Sequence, residues 1–404
     1  MKFIEQGVCA PIGFYASGMN CGIRKNKTKN DLTLIYSEKM ANAAAVYTQN
    51  IVKGAPLVVT KNNIKDGYAQ AIICNSGNAN TCNANGEEIA TMTCELLANQ
   101  IGLKAEDIVV ASTGVIGQEL DITPIKNGIE TLVSLKSKDG NDAACEGIMT
   151  TDTIQKSVAI EFNIGDKVCK MGGIAKGSGM IHPDMATMLV FLTTDCKITS
   201  KMLQKALSHD ITETFNMVSV DGDTSTNDMV CILANGMAEN IEINEDGEDF
   251  KIFMKAINTV NMQLCKLIAG DGEGATKLVE CEILKADNVE QAKLIAKSVI
   301  CSSLVKTAMF GADANWGRIL CAIGYSKAKV DYQKIDVYFE SIKGKIQVCS
   351  KGASMYFSEE KAKEILLEDE ITIIIDLNIG SETTKAWGCD LTYDYVKING
   401  DYRT

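Results

Sequence analysis

Short apolar runs alternate with segments of helical spacing along the whole chain. Runs rich in apolar and β-branched residues predict strands, and several are hydrophobic throughout, as in strands buried on both faces. The predicted strands are 32–37, 44–48, 56–60, 71–74, 107–112, 157–162, 188–194, 229–234, 277–284, 335–339, 345–349 and 371–377. Apolar residues three and four apart predict helices at 87–100, 123–136, 143–149, 200–218, 250–269, 289–302, 319–325 and 358–367.

This intermixing of strands and helices predicts an α/β (α+β) fold in which stacked sheets are covered by helices. A chain of 404 residues is long for one core, so we expect two lobes or one layered domain with an insertion. The charged, turn-rich segment 239–249 favours a second lobe that begins near residue 240.

Composition narrows the class of protein. The net charge of −12 argues against a nucleic-acid partner, because phosphate binding needs a basic surface. No apolar run approaches the roughly 18 residues of a membrane span, and Glu5 interrupts any signal-peptide core. We therefore expect a cytoplasmic enzyme with no membrane contact.

The fifteen cysteines include no pair at C-x-x-C spacing, so neither a zinc site nor a redox motif is indicated. Several lie in apolar runs and are expected to be buried, reduced thiols: Cys74, Cys231, Cys301 and Cys321. With only His182 and His209 available, a histidine-rich metal site is not expected.

The segment 171–195 contains the strongest candidate for a catalytic residue. A glycine-rich half containing Lys176 leads into the predicted strand 188–194, and Ala186–Thr187 lies at the junction. A hydroxyl group placed there suits a nucleophile, because the strand holds it while the loop admits substrate. The competing interpretation is a glycine turn followed by a core strand in which Thr187 only packs.

One chemical hypothesis uses the residues present. If the chain were cut before Thr187, the new α-amine, with a pKa of about 7.7–8.0, could act as base for the Thr187 hydroxyl. The same hydroxyl could make the cut by attacking the Ala186 carbonyl. Flanking residues are expected to let the loop take the strained shape this requires: Gly172, Gly173, Gly177, Gly179 and Pro183.

Three other segments carry weaker signals. Thr113–Gly114 ends a predicted strand, where a glycine can turn its N–H towards an oxyanion. The loop 270–277 lacks phosphate-loop spacing, and its Glu273 is better suited to a cation. The acidic loop 219–228 lacks the closing glutamate of a calcium loop.

The segment KGSGMIHPDMATMLVFLTTD closely resembles the ornithine acetyltransferase (glutamate N-acetyltransferase) family of arginine biosynthesis. Further family motifs follow in family order over nearly the whole chain: GFYASGMNCGIR, NSGNAN, ASTGVIGQ, MTTDT, DGEGATK, ADANWGRI and INGDYRT. The resemblance implies a four-layer αββα sandwich like that of N-terminal-nucleophile hydrolases, with a smaller C-terminal lobe. It also implies self-cleavage between Ala186 and Thr187.

The products of that cleavage would be an α chain of 1–186 and a β chain of 187–404 that assemble as a heterotetramer. Thr187 would take the acetyl group of N-acetylornithine, release ornithine and pass the acetyl group to glutamate. Thr113 and Gly114 match the family's oxyanion hole. Residues at its substrate-contacting positions are Thr153, Lys176, Thr187, Glu273, Asn399 and Thr404.

Lys176 suits a substrate carboxylate and Glu273 suits the amine-bearing end of ornithine. No cofactor is implied. Family members differ in whether acetyl-CoA also serves as acetyl donor, and no residue in the sequence decides it. Two alternatives stay open: a hydrolase of the same fold class in which water accepts the acetyl group, and a binding protein that never cleaves itself. No role is assigned to His182.

Overall fold

The computed structural model describes residues 1–182 and 188–401. The strands are β1 (Lys2–Ile4), β2 (Phe14–Met19), β3 (Leu32–Tyr47), β4 (Tyr68–Asn78), β5 (Ile108–Val115), β6 (Lys156–Ile164), β7 (Lys167–Lys176), β8 (Leu189–Thr194), β9 (Val218–Ser219), β10 (Met229–Ala234), β11 (Leu278–Ala286), β12 (Asp336–Ser341), β13 (Gly344–Ser350), β14 (Ala353–Ser354), β15 (Glu370–Asp376) and β16 (Glu382–Cys389).

The helices are α1 (Ala55–Asn63), α2 (Gly86–Ile101), α3 (Thr123–Ser134), α4 (Asn141–Ile148), α5 (Ser200–Asp210), α6 (Glu248–Gly270), α7 (Val289–Cys301), α8 (Ser303–Phe310), α9 (Trp316–Gly324), α10 (Glu359–Leu366) and α11 (Tyr393–Asp401). Short 3-10 turns lie at Gly7–Cys9, Ile64–Asp66, Ala105–Asp107, Phe215–Met217 and Tyr332–Lys334. Within the described ranges, no helix is both long and apolar enough to cross a bilayer.

The first sheet runs in the order β1-β6-β7-β8-β10-β3-β4-β5, with β2 paired to β3. Its central strands β8 and β10 are parallel and are buried at every position. This confirms the predicted strands at 188–194 and 229–234. The long strand β3 joins two predicted strands into one and shifts its register against β4 between Tyr36 and Ala41.

The second sheet has the order β14-β13-β12-β15-β11-β16-β9. Helix α6 contacts β6 and β7 of the first sheet and β11 and β16 of the second, while α7 covers β11 and β16. Helix α4 packs against β2 and β3 on the first sheet. A single hydrophobic cluster extends from the first sheet through α5 and α6 to the second sheet. The α/β sandwich predicted from the sequence is thus confirmed.

The predicted strand at 56–60 is wrong, because this segment is helix α1. Pro56 lies in its first turn, where the missing N–H leaves no hydrogen bond unmade. The Thr60 hydroxyl donates to the Val110 carbonyl at 2.7 Å and accepts from the Val110 amide at 2.8 Å. Docking on β5 therefore outweighs the strand preference of Val58 and Val59.

The thiols also depart from expectation at one position. All fifteen cysteines are free, and Cys74 and Cys231 are buried as predicted. Cys301 is half-buried, but Cys321 is exposed, so the prediction for Cys321 is wrong. Helix α9 buries its other face through Ile319, Ala322 and Ile323, and Cys321 points away from it.

Gly172 and Gly173 belong to strand β7, so the expectation that they form part of a deformable loop is wrong. They are needed for close packing. A Cβ at Gly172 would lie 1.8 Å from the Gly7 carbonyl oxygen, and one at Gly173 would lie 2.6 Å from Leu192 Cδ2. The first distance is far inside van der Waals contact with a backbone atom that cannot rotate away.

We predict that Gly172→Ala destabilises the protein by about 1–3 kcal/mol, the usual cost of overpacking. Gly247→Ala is the matched control, because a Cβ there meets nothing within 4 Å. Thermal unfolding should show a lower midpoint for Gly172→Ala only. Equal midpoints for the two variants would mean that Gly172 is not held against the Gly7 carbonyl.

Candidate active site

One cavity gathers most of the side chains singled out in the sequence. Its lining comes from the ends of β4, β5 and β7, the start of β8, the loop before β10, the loop after α6, and α11. The lining residues are Ala79, Thr113, Gly114, Ile116, Thr150, Thr151, Lys176, Gly179, Met180, Leu189, Ser225, Thr226, Asn227, Asp228, Glu273 and Asn399.

Strand pairing brings these chain segments together. The last residue of β7, Lys176, pairs with the first residue of β8, Leu189, in antiparallel register. Leu189 in turn pairs with Met229 of β10 in parallel register. The end of β7 and the starts of β8 and β10 therefore meet at one edge of the sheet, and the cavity lies there.

Lys176 reaches across the cavity to the end of β5. Its Nζ donates to the Thr113 hydroxyl at 3.2 Å, and Thr113 is buried. Next in the chain, Gly114 pairs with Gly77 of β4. Gly114 has φ +132°, and a Cβ there would lie 2.3 Å from the Gly77 carbonyl carbon. Close backbone contact therefore requires glycine at 114, whatever its amide does in catalysis.

A buried ionic network supports the floor of this site. Lys156 Nζ, fully buried, donates to Asp152 Oδ1 at 2.7 Å and also to Asp271 Oδ2. Asp152 Oδ1 accepts the Gly177 amide at 2.7 Å. Burial alone raises the pKa of Asp152, but the ammoniums of Lys156 and Lys176 outweigh it, and the pKa falls to about 2. Asp152 is thus a fixed anion beside the loop that follows Lys176.

Glu273 forms the opposite wall of the cavity. Its amide donates to the Ser178 carbonyl at 3.0 Å, and its Oε2 accepts from Asn399 Nδ2 at 2.7 Å. A Cβ at Gly179 would lie 2.3 Å from the Glu273 carboxyl carbon, so a side chain there would displace this carboxylate from its position. Glycine at 179 therefore gives Glu273 access to the cavity.

The acidic loop 219–228 holds the chain just before residue 183. Asp221 accepts the amides of Met180 and Ile181 at 2.7 and 2.9 Å. His182 Nδ1 lies 3.1 Å from the Ser219 hydroxyl and 3.5 Å from Cys301 Sγ. Across residues 1–182 and 188–401, no group of three or more His, Cys, Asp or Glu is arranged to hold a metal ion.

Asp228 is a site residue that the sequence placed only in a rejected calcium loop and to which it assigned no catalytic or binding role. It is 3% exposed, lines the cavity, and its Oδ2 has no hydrogen-bond partner among the described residues. The Met229 amide donates to the Met188 carbonyl at 2.9 Å, which places Asp228 beside the start of β8. Burial raises the pKa of Asp228 well above its usual range, against the lowering effect of Lys176 and Ser225.

The available sequence signal for Asp228 was its position directly before a wholly apolar strand, which matches the position of Thr187 before the strand predicted at 188–194. Because β8 and β10 are parallel neighbours, polar residues that precede them lie at the same edge of the sheet. The neighbouring Asn227 links this loop to β4 and β5, since its Nδ2 donates to the carbonyls of Ala79 and Ser112 at 2.5 and 2.9 Å.

The structure thus brings together Thr113, Gly114, Lys176, Glu273 and Asn399. Thr153 lies outside this set: its amide and hydroxyl donate to Asp271, and it lines a neighbouring depression instead. Ala186, Thr187 and Thr404 lie outside the described residues. The described residues resume at Met188, directly after Thr187, and end at Asp401, three residues before Thr404.

The model of the ArgJ family matches residues 15–404. The chain is 49% identical to the arginine biosynthesis bifunctional protein ArgJ of Caldanaerobacter subterraneus over 405 residues, covering 100% of both chains. It is also 49% identical to ArgJ 1 of Clostridium acetobutylicum over 392 residues, covering 97% of this chain and 96% of that protein.

Among solved structures, the arginine biosynthesis bifunctional protein ArgJ of Bacillus halodurans matches with a TM-score of 0.50 and 50% sequence identity. The match covers 52% of this chain and 98% of the crystallised chain. Sequence identity near one half over the full length leaves no doubt about descent. This chain belongs to the ArgJ family.

Proposed function

We propose that the protein is a self-processing acetyltransferase of arginine biosynthesis, which moves the acetyl group of N-acetylornithine to glutamate through an acetyl ester on Thr187. The observation that carries the proposal is the cavity shared by Thr113, Gly114, Lys176 and Glu273, which opens at Leu189. Thr187 precedes Leu189, a lining residue of this cavity, by two residues in the sequence, which supports its assignment as the nucleophile.

The proposed reaction consists of two half-reactions, acetylation and deacetylation of Thr187. The Thr187 hydroxyl attacks the acetyl carbonyl and gives its proton to the Thr187 α-amine, whose pKa lies near neutrality. The C–N bond of the amide breaks, and the ornithine amine leaves with that proton. The glutamate amine then attacks the acetyl ester, the C–O bond breaks, and the Thr187 hydroxyl is restored. Both halves pass through a tetrahedral oxyanion.

Thr113 and Gly114 are proposed to stabilise that oxyanion. Donors aimed at the position where negative charge develops supply a large part of the rate enhancement in acyl transfer. Lys176, whose ammonium already donates to Thr113, lies where it can also bind a substrate carboxylate. The two substrates share an α-carboxylate, so one cation serves both halves.

Glu273 is proposed to bind the amine-bearing end of ornithine, with Asn399 fixing the orientation of its carboxylate. Thr404, three residues beyond the described end of α11, and Thr153 remain predictions from the family resemblance. Because Asp271 occupies the Thr153 hydroxyl, we expect Thr153 to act mainly by fixing the loop that carries Thr150 and Thr151 into the cavity.

Cleavage at Ala186–Thr187 is supported by the Bacillus halodurans chain, which aligns over 98% of itself to only 52% of this chain. That share is expected if the crystallised chain is one of two products. We propose an α chain of 1–186 and a β chain of 187–404 that stay together as a heterotetramer of two each. A second lobe beginning near residue 240 stays a prediction. The fifteen free thiols favour the reducing cytoplasm.

Asp228 is proposed to face an ammonium group during the reaction. Its unpartnered oxygen points to a need for a hydrogen-bond donor, and the buried position makes a cation the complementary partner. The α-amine freed at Thr187 is such a group, because Thr187 precedes β8 and Asp228 precedes β10, the parallel neighbour of β8. Asp228 would then hold that amine in position to take and return the proton of the hydroxyl.

Thr187→Ala should yield one uncut chain without acetyl transfer, because the variant lacks the hydroxyl for both steps. Thr187→Ser should keep part of each activity, since a primary hydroxyl can perform the same attacks. Mass spectrometry of the purified proteins gives the chain masses. An active preparation consisting only of the intact 404-residue chain would contradict the mechanism.

Acetate release distinguishes acetyl transfer from hydrolysis. With N-acetylornithine and glutamate, N-acetylglutamate should accumulate and acetate should stay near background, because the amine captures the acetyl ester. Without glutamate, ornithine release should slow sharply once the enzyme is acetylated. Rapid acetate release that glutamate does not affect would instead establish the hydrolase alternative.

Asp228→Asn should raise the stability of the protein and lower its acetyltransferase activity. In the uncut Thr187→Ala chain, the raised pKa means that the folded protein binds a proton which the unfolded chain releases above about pH 3.9. Stability of the parent therefore falls as pH rises, and Asp228→Asn removes this loss. The variant's gain in unfolding midpoint should be larger at pH 8 than at pH 5.

In the cleaved enzyme the same substitution should lower acetyl transfer at least about tenfold, as loss of a positioned proton-transfer partner does. Asp166→Asn, at an exposed turn, is the control and should change neither quantity. A stability gain that is equal at the two pH values would rule out the raised pKa. Unchanged transfer would rule out the role at the amine.

A further inference from the structure

A second cavity adjoins the first at the predicted oxyanion position. Its lining residues are Ile23, Arg24, Lys25, Asn26, Gly77, Gly114, Gln118 and Thr150. Gly114 and Thr150 line both cavities. The second cavity has a volume of about 300 Å³. A ligand bound there can place one end beside Gly114 without displacing Lys176 or Glu273.

The loop that contributes Arg24 and Lys25 to the lining of this second cavity is strongly basic. Four cations fall within six consecutive residues, 24–29, in a chain whose net charge is −12. Lys25, Lys27 and Lys29 are all exposed. None of the residues lining the second cavity carries a carboxylate, whereas the first cavity contains Glu273 and Asp228. The two cavities therefore favour ligands of different charge.

The basic loop has a defined shape. Buried Asp31 accepts the amides of Cys21, Gly22 and Arg24 at 2.7, 3.2 and 2.9 Å. The side-chain amide of Asn20 donates to the carbonyls of Asn26 and Lys29 at 3.3 and 2.7 Å. Fixing the backbone at both ends of the loop reduces the entropy lost when its lysines engage a ligand.

Arg24 connects this loop to the active-site cavity. Its guanidinium donates to the Met149 carbonyl, next to Thr150. Its stem packs against Gly77, where a Cβ would lie 2.8 Å from Arg24 Cγ. Because Gly77 pairs with Gly114, two consecutive contacts join the loop to the proposed oxyanion position, Arg24 with Gly77 and Gly77 with Gly114.

We propose that the second cavity binds acetyl-CoA, with its phosphates on Lys25, Lys27 and Lys29 and its thioester beside Gly114. This inference rests on the proposed function and assigns the site of a second acetyl donor. Lysine ammoniums suit phosphate groups as point charges, and a cluster of them raises the local concentration of a polyanion. The long neutral arm of the donor would lie along the shared wall at Gly114 and Thr150.

Acetylation of Thr187 by acetyl-CoA requires only the catalytic groups already proposed for N-acetylornithine. The Thr187 hydroxyl attacks the thioester carbonyl, its proton goes to the Thr187 α-amine, and the C–S bond breaks. The thiolate of CoA leaves and takes that proton. The acetyl ester on Thr187 is the same intermediate that N-acetylornithine forms, and glutamate then accepts its acetyl group. Only the leaving group differs between the two donors.

The test compares the two donors in one enzyme. The triple variant Lys25→Gln/Lys27→Gln/Lys29→Gln should raise KM for acetyl-CoA about tenfold or more, since contacts to charged groups are strong. Its kcat/KM for N-acetylornithine should stay within about twofold. The control Lys61→Gln/Lys65→Gln/Lys126→Gln removes the same charge from exposed positions that line neither cavity and should change neither KM.

Salt and truncated donors identify the group that is bound. Raising the ionic strength should raise KM for acetyl-CoA in the parent much more than in the triple variant, because salt screens exposed charges. The acetyl thioester of pantetheine, which lacks phosphates, should be a poor donor whose KM is the same in both proteins. Inorganic phosphate should compete only weakly with acetyl-CoA.

Several results would overturn the inference. They are an unchanged KM for acetyl-CoA in the triple variant, an equal loss with both donors, competition by inorganic phosphate as strong as by CoA, and no acetyl transfer from acetyl-CoA by the parent enzyme. In the last case, transfer from N-acetylornithine leaves the proposed function intact. Failure with N-acetylornithine alone would instead overturn the proposed function.

Discussion

The active-site cavity depends on one buried cation. Lys156 lies between Asp152 and Asp271, and so joins the loop after α4 to the loop after α6. Asp152 also receives the Gly177 amide, which fixes the chain directly after Lys176. Breaking a buried pair of this kind leaves an uncompensated charge and typically costs about 3–5 kcal/mol. The network therefore sets the distance between the walls that carry Lys176 and Glu273.

Around that network, the two cavities that are proposed to bind substrates differ in the charge of their lining. The inner cavity offers a cation, a carboxylate and an unpartnered buried carboxyl, which suits amino acids that carry both an amine and a carboxylate. The lining of the outer cavity includes two cations, two side-chain amides and a hydroxyl, and it has no carboxylate. Gly114 lines both cavities, and in the proposed mechanism either kind of donor presents its carbonyl there to one nucleophile, so that one acetyl ester serves two reactions.

The glycines illustrate how sequence and structure differ in what they explain. In the sequence, Gly172, Gly173, Gly177 and Gly179 form one group whose common property is backbone freedom. In the structure, Gly172 and Gly173 permit close strand contacts, and Gly179 leaves room for the Glu273 carboxylate. The missing side chain matters more than the free backbone at these three positions, and only a three-dimensional neighbour reveals that.

The sequence by itself determined the α/β class, most strands and helices, and the family, because apolar periodicity and ordered motifs are local properties of the chain. It also pointed to Thr113, Gly114, Lys176, Glu273 and Asn399 through the family resemblance. Tertiary structure decided the rest. Helix α1 overrides a β-branched run by bonding Thr60 to β5, Cys321 faces outward because α9 buries its opposite side, and Asp228 joins the site through the parallel pairing of β8 and β10. Each of these depends on a partner distant in sequence, and no local pattern encodes that partner.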